Sequence, residues 1–270
     1  MATALPKRLG RRIFGTDPAV YNRVRFGYPP RVHEILQRRC GLVPGSRVFE
    51  IGPGTGIATR ELLMLGANPL TVVEPDPRLA RYLGGHLCRF RSRVRIVNAP
   101  FERAQLEEGG YDLGAAATSF HWLNERVALR KVARALRPEG WWASWSNLHG
   151  DLEHPGPFHR AIQPLYGRPS GQPPKWAQGG ASLAKQQAER LHAIRASRCF
   201  DRATAEVVRW PVTLSTSRVV ALWSTFSDIR VLPVAKRRQF LLGLARISDD
   251  EFGGTVRFKI VTPIVTARRV

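Results

Sequence analysis

The segment Glu50-Ile-Gly52-Pro-Gly54-Thr-Gly56 restricts what this chain can fold into more than any other part of it. It closes Ser46-Arg-Val-Phe-Glu50-Ile, an apolar run that reads as a short buried strand, and it leads into a helical run from Ala58 to Leu65. A strand that breaks into glycines and restarts as a helix opens a nucleotide-binding α/β unit. Glycine lets the backbone there pass close to a ligand without a Cβ clash. The alternation continues along the chain. Pro69 to Glu74, Val94 to Asn98, Leu113 to Ala117 and Trp141 to Ser146 read as strands, and Arg31 to Arg39, Arg78 to Leu87 and Leu123 to Leu136 as helices. This order predicts a mostly parallel sheet covered on both faces.

The acidic residues around the glycines separate two classes of ligand. A dinucleotide site places its third glycine five residues after the first, whereas Gly56 comes four after Gly52. Glu50, two residues ahead of the loop, would repel a pyrophosphate. It suits a ligand that carries an ammonium group and no phosphate, a description that S-adenosylmethionine meets. Glu74 closes the second strand, where a carboxylate can accept both hydroxyls of a ribose.

Charge and cysteine content bear on partners and compartment. Lys and Arg number 42 against 21 Asp and Glu, a net +21, which makes nucleic acid or an acidic substrate the partner to weigh. Only six of the 42 are lysines and the arginines are spread along the chain, so a compositional bias accounts for the charge equally well. Cys40, Cys88 and Cys199 lie far apart, form no CxxC pair and leave an odd thiol, as expected in a reducing compartment. No run of about 18 apolar residues occurs. The basic start, with Lys7, Arg8, Arg11 and Arg12, has no hydrophobic stretch behind it, so a cytoplasmic protein is expected, with an organelle presequence as the other reading.

Four motifs in order give the chain a family resemblance: Glu50 to Gly56, Val72-Val-Glu74-Pro-Asp-Pro77, Tyr111-Asp-Leu113 and Leu136-Arg-Pro-Glu-Gly140. They resemble motifs I, post-I, IV and VI of class I S-adenosylmethionine-dependent methyltransferases. More narrowly, Tyr21 with Arg25-Phe-Gly-Tyr-Pro29, and Ser119-Phe-His-Trp122 after the fourth strand, are similar to the branch that includes trans-aconitate methyltransferases and related small-molecule enzymes. The resemblance implies a Rossmann-like seven-stranded sheet with its last strand antiparallel, flanked by helices. The cofactor would be S-adenosylmethionine, lying across the carboxyl ends of the strands. Gly52, Gly54 and Gly56 would face its methionine part with Glu50 beside them, Glu74 its ribose, and Ser119 would stand nearby. Tyr21 and Arg25 would close over it, Arg25 near its carboxylate. Asn98, Phe101 and Glu102 are the candidates for the adenine.

The expected organisation is an arm and helix over residues 1–40, a cofactor-binding core over 41–148, a cap over 149–205, and a return to the sheet over 206–270. Within the cap, Gly and Pro punctuate the chain, Arg168 to Pro174 above all, ahead of one polar helix from Ser182 to Arg195. Val207 to Leu214 and Thr255 to Ala267 read as strands, with helices from Val219 to Phe226 and from Ala235 to Arg246 between them.

Methyl transfer requires the acceptor atom to be held near attack distance while water is excluded. His121 is then either a general base for an acceptor that must lose a proton or a packed wall of the cavity. Trp141, Trp142 and Trp145 alternate on a strand and read as core, with a stacking surface for an aromatic acceptor as the other use. His149, His154 and His159 with Asp151 and Glu153 are broken by Gly150, Pro155, Gly156 and Pro157 and do not present a metal-ligand spacing, so no metal is expected. The expected function is methyl transfer to an oxygen or nitrogen of a small molecule, a carboxylate or an aromatic or heterocyclic metabolite. The alternative is an RNA or DNA methyltransferase, although no Asp/Asn-Pro-Pro-Tyr segment follows the fourth strand.

Overall fold

Seven strands form one sheet in the order β3-β2-β1-β4-β5-β7-β6 in the computed structural model, which describes residues 14–151, 153–167 and 182–270. The basic residues before Phe14 and the Gly/Pro-rich stretch 168–174 lie outside the described residues. The strands are β1 (Val48–Ile51), β2 (Leu70–Val73), β3 (Val94–Val97), β4 (Tyr111–Ala117), β5 (Leu136–Trp145), β6 (Phe200–Ser215) and β7 (Thr255–Arg269). Strands β1 to β5 run parallel, and β7 is antiparallel to both of its neighbours, β5 and β6. This is the Rossmann-like sheet with a reversed last strand that the motifs implied.

Every residue of β1 and β2 is buried, because helices cover both faces of a parallel sheet. One face carries α2 (Pro30–Arg38), α3 (Ile57–Met64) and α4 (Pro77–His86), whose Val32, Ile35, Leu62, Leu63 and Leu83 pack on Val48, Leu70, Val72 and Leu113. The other carries α5 (Glu125–Ala135) and α7 (Leu183–Ala196), whose Leu129, Val132 and Ile194 pack with Phe49, Ile51 and Trp142. Strand alternation divides the three tryptophans as expected: Trp141 and Trp145 join the first layer and Trp142 the second. Helix starts coincide with short polar caps. Asp76 accepts from the Arg78 amide ahead of α4, and Asn124 from the Val127 amide ahead of α5.

Two boundaries differ from the sequence reading. Residues 137–140, which fall between the helix expected to end at Leu136 and the strand expected to start at Trp141, lie inside β5, where pairing jumps from Tyr111–Leu136 to Leu113–Trp141. The extra residues form a bulge with Glu139 at φ 63°, so a stretch that reads as a break is absorbed without ending the strand. Strand β6 begins at Phe200 rather than Val207. Its first half alternates between exposed and partly buried residues because it is the sheet's edge, and the apolar signal is weak there.

The β6–β7 hairpin is longer than the sheet is deep. Residues Ile264–Arg268 of β7 pair with β5, whereas residues 255–263 continue past its carboxyl end, paired with β6 and tied to the chain after β5 by a bridge between Leu148 and Val261. On that overhang sits a separate apolar core: Phe158 of α6 (Pro157–Ala161), Val219, Leu222 and Trp223 of α8 (Thr216–Trp223), Ile229 of α9 (Ser227–Arg230), and Phe240 and Leu244 of α10 (Val234–Asp250). This core forms a helical cap beyond the carboxyl ends of the parallel strands. Of its helices only α6 falls in the 149–205 stretch expected as the cap; α8 to α10 come from the stretch expected to return to the sheet, and α7 packs on the sheet instead. The arm helix α1 (Pro18–Val24) contacts α8, so arm and cap meet there.

Two glycines are expected to answer oppositely to alanine. A Cβ on Gly114 of β4 would collide with the ring of Phe49, which is fully buried, and Gly114→Ala should destabilise the protein by about 1–3 kcal/mol. Gly85 lies inside α4 with open space where its Cβ would be, and Gly85→Ala should stabilise by about 0.5–1 kcal/mol. Chemical denaturation of the two variants beside the wild type measures both.

Candidate active site

A cavity of about 450 Å³ opens at the carboxyl ends of β1, β2 and β4, between the arm and the cap. Its size lies within the range of about 300–1,000 Å³ usual for small-molecule sites. The glycine loop forms its floor. Gly52, Gly54 and Gly56 have φ of 65°, 60° and 89°, a left-handed region that disfavours other residues. Their surroundings divide their roles. A Cβ on Gly54 would project into open space, so this is where the backbone is bare toward a ligand. A Cβ on Gly52 would meet Ser119 Cβ at 2.7 Å, and one on Gly56 would meet Leu83 at 2.5 Å, so these two glycines permit close packing of loop on loop and of α3 on α4.

Glu50 and Glu74 are both buried and both line the cavity. One oxygen of Glu50 accepts from Thr59 Oγ1 at 2.6 Å and the other, Oε1, has no partner. Glu74 is held by two amides, Gly54 N at 3.0 Å and Asp76 N at 2.9 Å. Among the described residues no guanidinium or ammonium pairs with either carboxylate. Burial pushes Glu50 up to about 8, with the Thr59 hydrogen bond opposing, and Glu74 up to about 7, with its two amide bonds opposing. An unpartnered carboxylate oxygen facing a cavity fits a cationic ligand group.

The other predicted residues fall into two sets. Tyr21, Arg25, Phe101, Ser119 and His121 line the cavity with Glu50, Gly52, Gly54 and Glu74. Ser119 Oγ also donates to the Ile51 carbonyl, tying the loop after β4 to the end of β1. Asn98 stands outside the lining and its Nδ2 donates to the Glu74 carbonyl at 2.8 Å, bracing the backbone behind that carboxylate. Gly56 is likewise outside the lining. Arg25 reaches across the cavity: its guanidinium lies 4.9 Å from the Tyr21 ring centre and 4.6 Å from that of Phe226, and Nη2 donates to the Thr225 carbonyl at 3.1 Å.

The cap and the chain leading into it supply residues that no sequence pattern groups. Asn147, Leu148, His149, Gln163, Tyr166, Trp223, Phe226 and Asp228 complete the wall. Nothing in the spacing of α8 and α9 marks them, since the hairpin alone brings these helices over the sheet. His149 and His159, weighed in sequence as metal ligands, face this cavity, while Asp151, Glu153 and His154 gather elsewhere around Arg209, whose Nε donates to Asp151 at 2.9 Å. Tyr28 OH and Thr118 Oγ1 are 3.0 Å apart, linking the arm to the loop after β4.

Residues 49–144 match the methyltransferase-domain family. An uncharacterized methyltransferase of Schizosaccharomyces pombe is 30% identical over 133 residues, 48% of this chain and 50% of that protein. Ribosomal RNA small subunit methyltransferase A of Rhizobium etli is 30% identical over 117 residues, 42% of this chain and 40% of that protein. Among solved structures, phosphoethanolamine N-methyltransferase 2 of Haemonchus contortus, in complex with phosphomonomethylethanolamine and S-adenosylhomocysteine, superposes with a TM-score of 0.58. It shares 13% identity, over 98% of this chain and 60% of that one, a likeness of fold. The chain spans about half the length or less of the curated relatives it matches. With the sheet order, the reversed β7 and the glycine loop, the match identifies residues 49–144 as the core of a class I S-adenosylmethionine-dependent methyltransferase domain. Among the described residues no helix is long and apolar enough to cross a membrane.

The two carboxylates give the ligand-free protein a pH dependence of defined sign. Their folded values lie above the ordinary 4.5, so their contribution to stability is complete below about 4.5 and is lost as pH rises through about 7 for Glu74 and about 8 for Glu50. Thermal melts of wild type and Glu50→Gln between pH 5 and 9 should therefore diverge toward the alkaline end, the variant holding its melting temperature where the wild type falls. Parallel curves would remove the assigned Glu50 shift.

Proposed function

We propose that this chain transfers a methyl group from S-adenosylmethionine to an oxygen or nitrogen of a small-molecule acceptor. The observation that carries the reading is a single cavity that joins the glycine loop and two cation-free carboxylates to an aromatic lobe under the cap. Bound there, the cofactor supplies a methyl group on a positively charged sulfur. Gly54 presents bare backbone to the methionine part, and Glu50 Oε1 accepts from its ammonium group. Glu74 accepts from the ribose hydroxyls. Phe101 packs against the adenine, while Asn98 and Glu102 stand outside the lining, Asn98 bracing the Glu74 carbonyl from behind. Tyr21 and Arg25 close the arm over the site, the remaining Arg25 donors serving the cofactor carboxylate. Water is kept from the reacting atoms by the arm and by α8 and α9, so that orientation supplies much of the rate. A cytoplasmic setting accords with the three unpaired thiols.

The second reading is methylation of RNA, favoured by the net +21 charge and by the likeness to an rRNA methyltransferase. Against it, Arg25 is the one Lys or Arg among the described residues that line the cavity. Loose binding of RNA to the basic surface would weaken steeply with salt and ignore sequence. Methylation of one defined RNA position at physiological salt would replace the small-molecule reading.

Calorimetry tests the cofactor half. Gly54→Val places a side chain in the ligand's path, and Glu74→Ala removes hydrogen bonds to the ribose worth about 1.5–3 kcal/mol each. Both should weaken S-adenosylmethionine and its demethylated product with the fold intact, and unchanged affinity in both would end the assignment. Affinity should also rise with pH up to about 8, because pairing with a cation favours ionised Glu50. For His121, single-turnover rates decide between base and wall. A general base shows as a loss of about 10²- to 10⁴-fold in His121→Ala at constant cofactor affinity, and a loss below about tenfold assigns the residue to the wall.

A further inference from the structure

The aromatic lobe of the cavity contains one side chain placed for a ligand that the cofactor does not use. His149 follows β5, and its ring stands 5.0 Å from Phe226 and 6.3 Å from Phe26. Its backbone is locked by the neighbouring histidine: His159 Nε2 donates to the His149 carbonyl at 2.8 Å. That arrangement needs the glycine that follows, since a Cβ on Gly150, at φ 139°, would lie 2.5 Å from His159 Nε2. The imidazole is thus set in a built position on the cavity wall, and its Nε2 is buried without a hydrogen-bond partner. A buried polar atom left unpaired is costly, and native proteins keep few of them.

The charges around it narrow the ligand. Among the described residues that line the cavity Arg25 is the only Lys or Arg, although the chain has 42 of them. Its guanidinium lies against the Tyr21 and Phe226 rings, its Nη2 donates to the Thr225 carbonyl, and its charge is felt by the Asp228 carboxylate. In the methyltransferase reading its remaining donors, the unpartnered Nε among them, serve the cofactor carboxylate, which leaves no fork for an acceptor carboxylate or phosphate. Burial first, then Arg25 and His159, holds His149 well below the usual imidazole range, so it is neutral at neutral pH and offers one donor and one acceptor. A second anion-seeking group is therefore missing, and a neutral hydrogen-bonding one is present.

We propose that the acceptor is an uncharged planar molecule bearing a hydroxyl or NH group, which hydrogen-bonds the His149 imidazole while its ring lies among Phe26, Trp223 and Phe226. This rests on the methyltransferase reading and narrows its acceptor from the wider class that includes carboxylates. His149 is then the residue that sets acceptor specificity, because a site built to hydrogen-bond a polar group discriminates against molecules that lack it.

Calorimetry on the full chain separates this proposal from the reading beneath it. S-Adenosylhomocysteine is titrated first. Then, in its presence, 2-naphthol and 2-naphthoate are titrated into wild type, His149→Phe and His149→Gln. S-Adenosylhomocysteine should bind all three proteins alike. 2-Naphthol should bind the wild type at least about tenfold more tightly than 2-naphthoate, lose about tenfold in His149→Phe, and keep most of its affinity in His149→Gln, whose amide nitrogen reaches a similar point. Three results would overturn the proposal: tighter binding of 2-naphthoate, equal 2-naphthol affinity in His149→Phe, or no 2-naphthol binding to the S-adenosylhomocysteine complex. Failure of S-adenosylhomocysteine to bind the wild type would overturn the methyltransferase reading itself. Should His149→Phe not fold, the wild-type preference between the two naphthalenes decides.

Discussion

Two carboxylates buried at the ends of adjacent parallel strands, with no cation beside them, are the constraint around which this molecule is arranged. Desolvation opposes the charge on Glu50 and Glu74, and the chain offsets it only in part, with the Thr59 hydroxyl and the amides of Gly54 and Asp76. The Gly54 amide is within reach because the glycine loop turns back toward β2, which in turn requires the left-handed backbone at Gly52, Gly54 and Gly56. The bare glycine backbone and the two buried carboxylates occur together at a place that suits a positively charged ligand.

Above this floor, the β6–β7 hairpin decides what else the cavity contains. Its sheet half completes the seven-stranded layer, and its overhanging half carries the apolar core on which α6, α8, α9 and α10 pack. The overhang lies at the carboxyl ends of the strands, so the cap's aromatic residues face the same space as the glycine loop. One continuous element thereby links the stability of the sheet to the shape of the aromatic part of the cavity. The arm joins the same assembly through Arg25, which bridges Tyr21 of α1 and Phe226 of the cap.

The net charge of the chain and the charge of its cavity have opposite sense. Arginines occupy the surface, many of them in ion pairs such as Arg39 and Arg31 with Glu206 and Arg268 with Asp201. Glu50, Glu74 and Asp228 face the cavity against Arg25 alone. Bulk composition reports on the long-range field of a protein, whereas ligand choice depends on the few groups in the desolvated interior.

The parallel core was legible in sequence because each of its elements is local. A buried strand, a glycine turn and an amphipathic helix carry their own signals, and Glu50, the three glycines and Glu74 are placed by their spacing from strand ends. The cap was not legible as a wall of the site. His149, Tyr166, Trp223, Phe226 and Asp228 lie as many as 79 residues apart and carry no shared pattern. What unites them is the antiparallel register of two long strands, with Ser215 opposite Thr255 and Phe200 opposite Arg269. The sequence by itself determined the parallel sheet, the glycine loop and the two acidic positions, since local periodicity and backbone sterics act over a few residues. The tertiary structure alone decided which Glu50 oxygen lacks a partner, that Asn98 braces a carbonyl instead of lining the cavity, and which aromatic residues surround His149. Those outcomes depend on long-range packing, in which distant segments exclude water from one another.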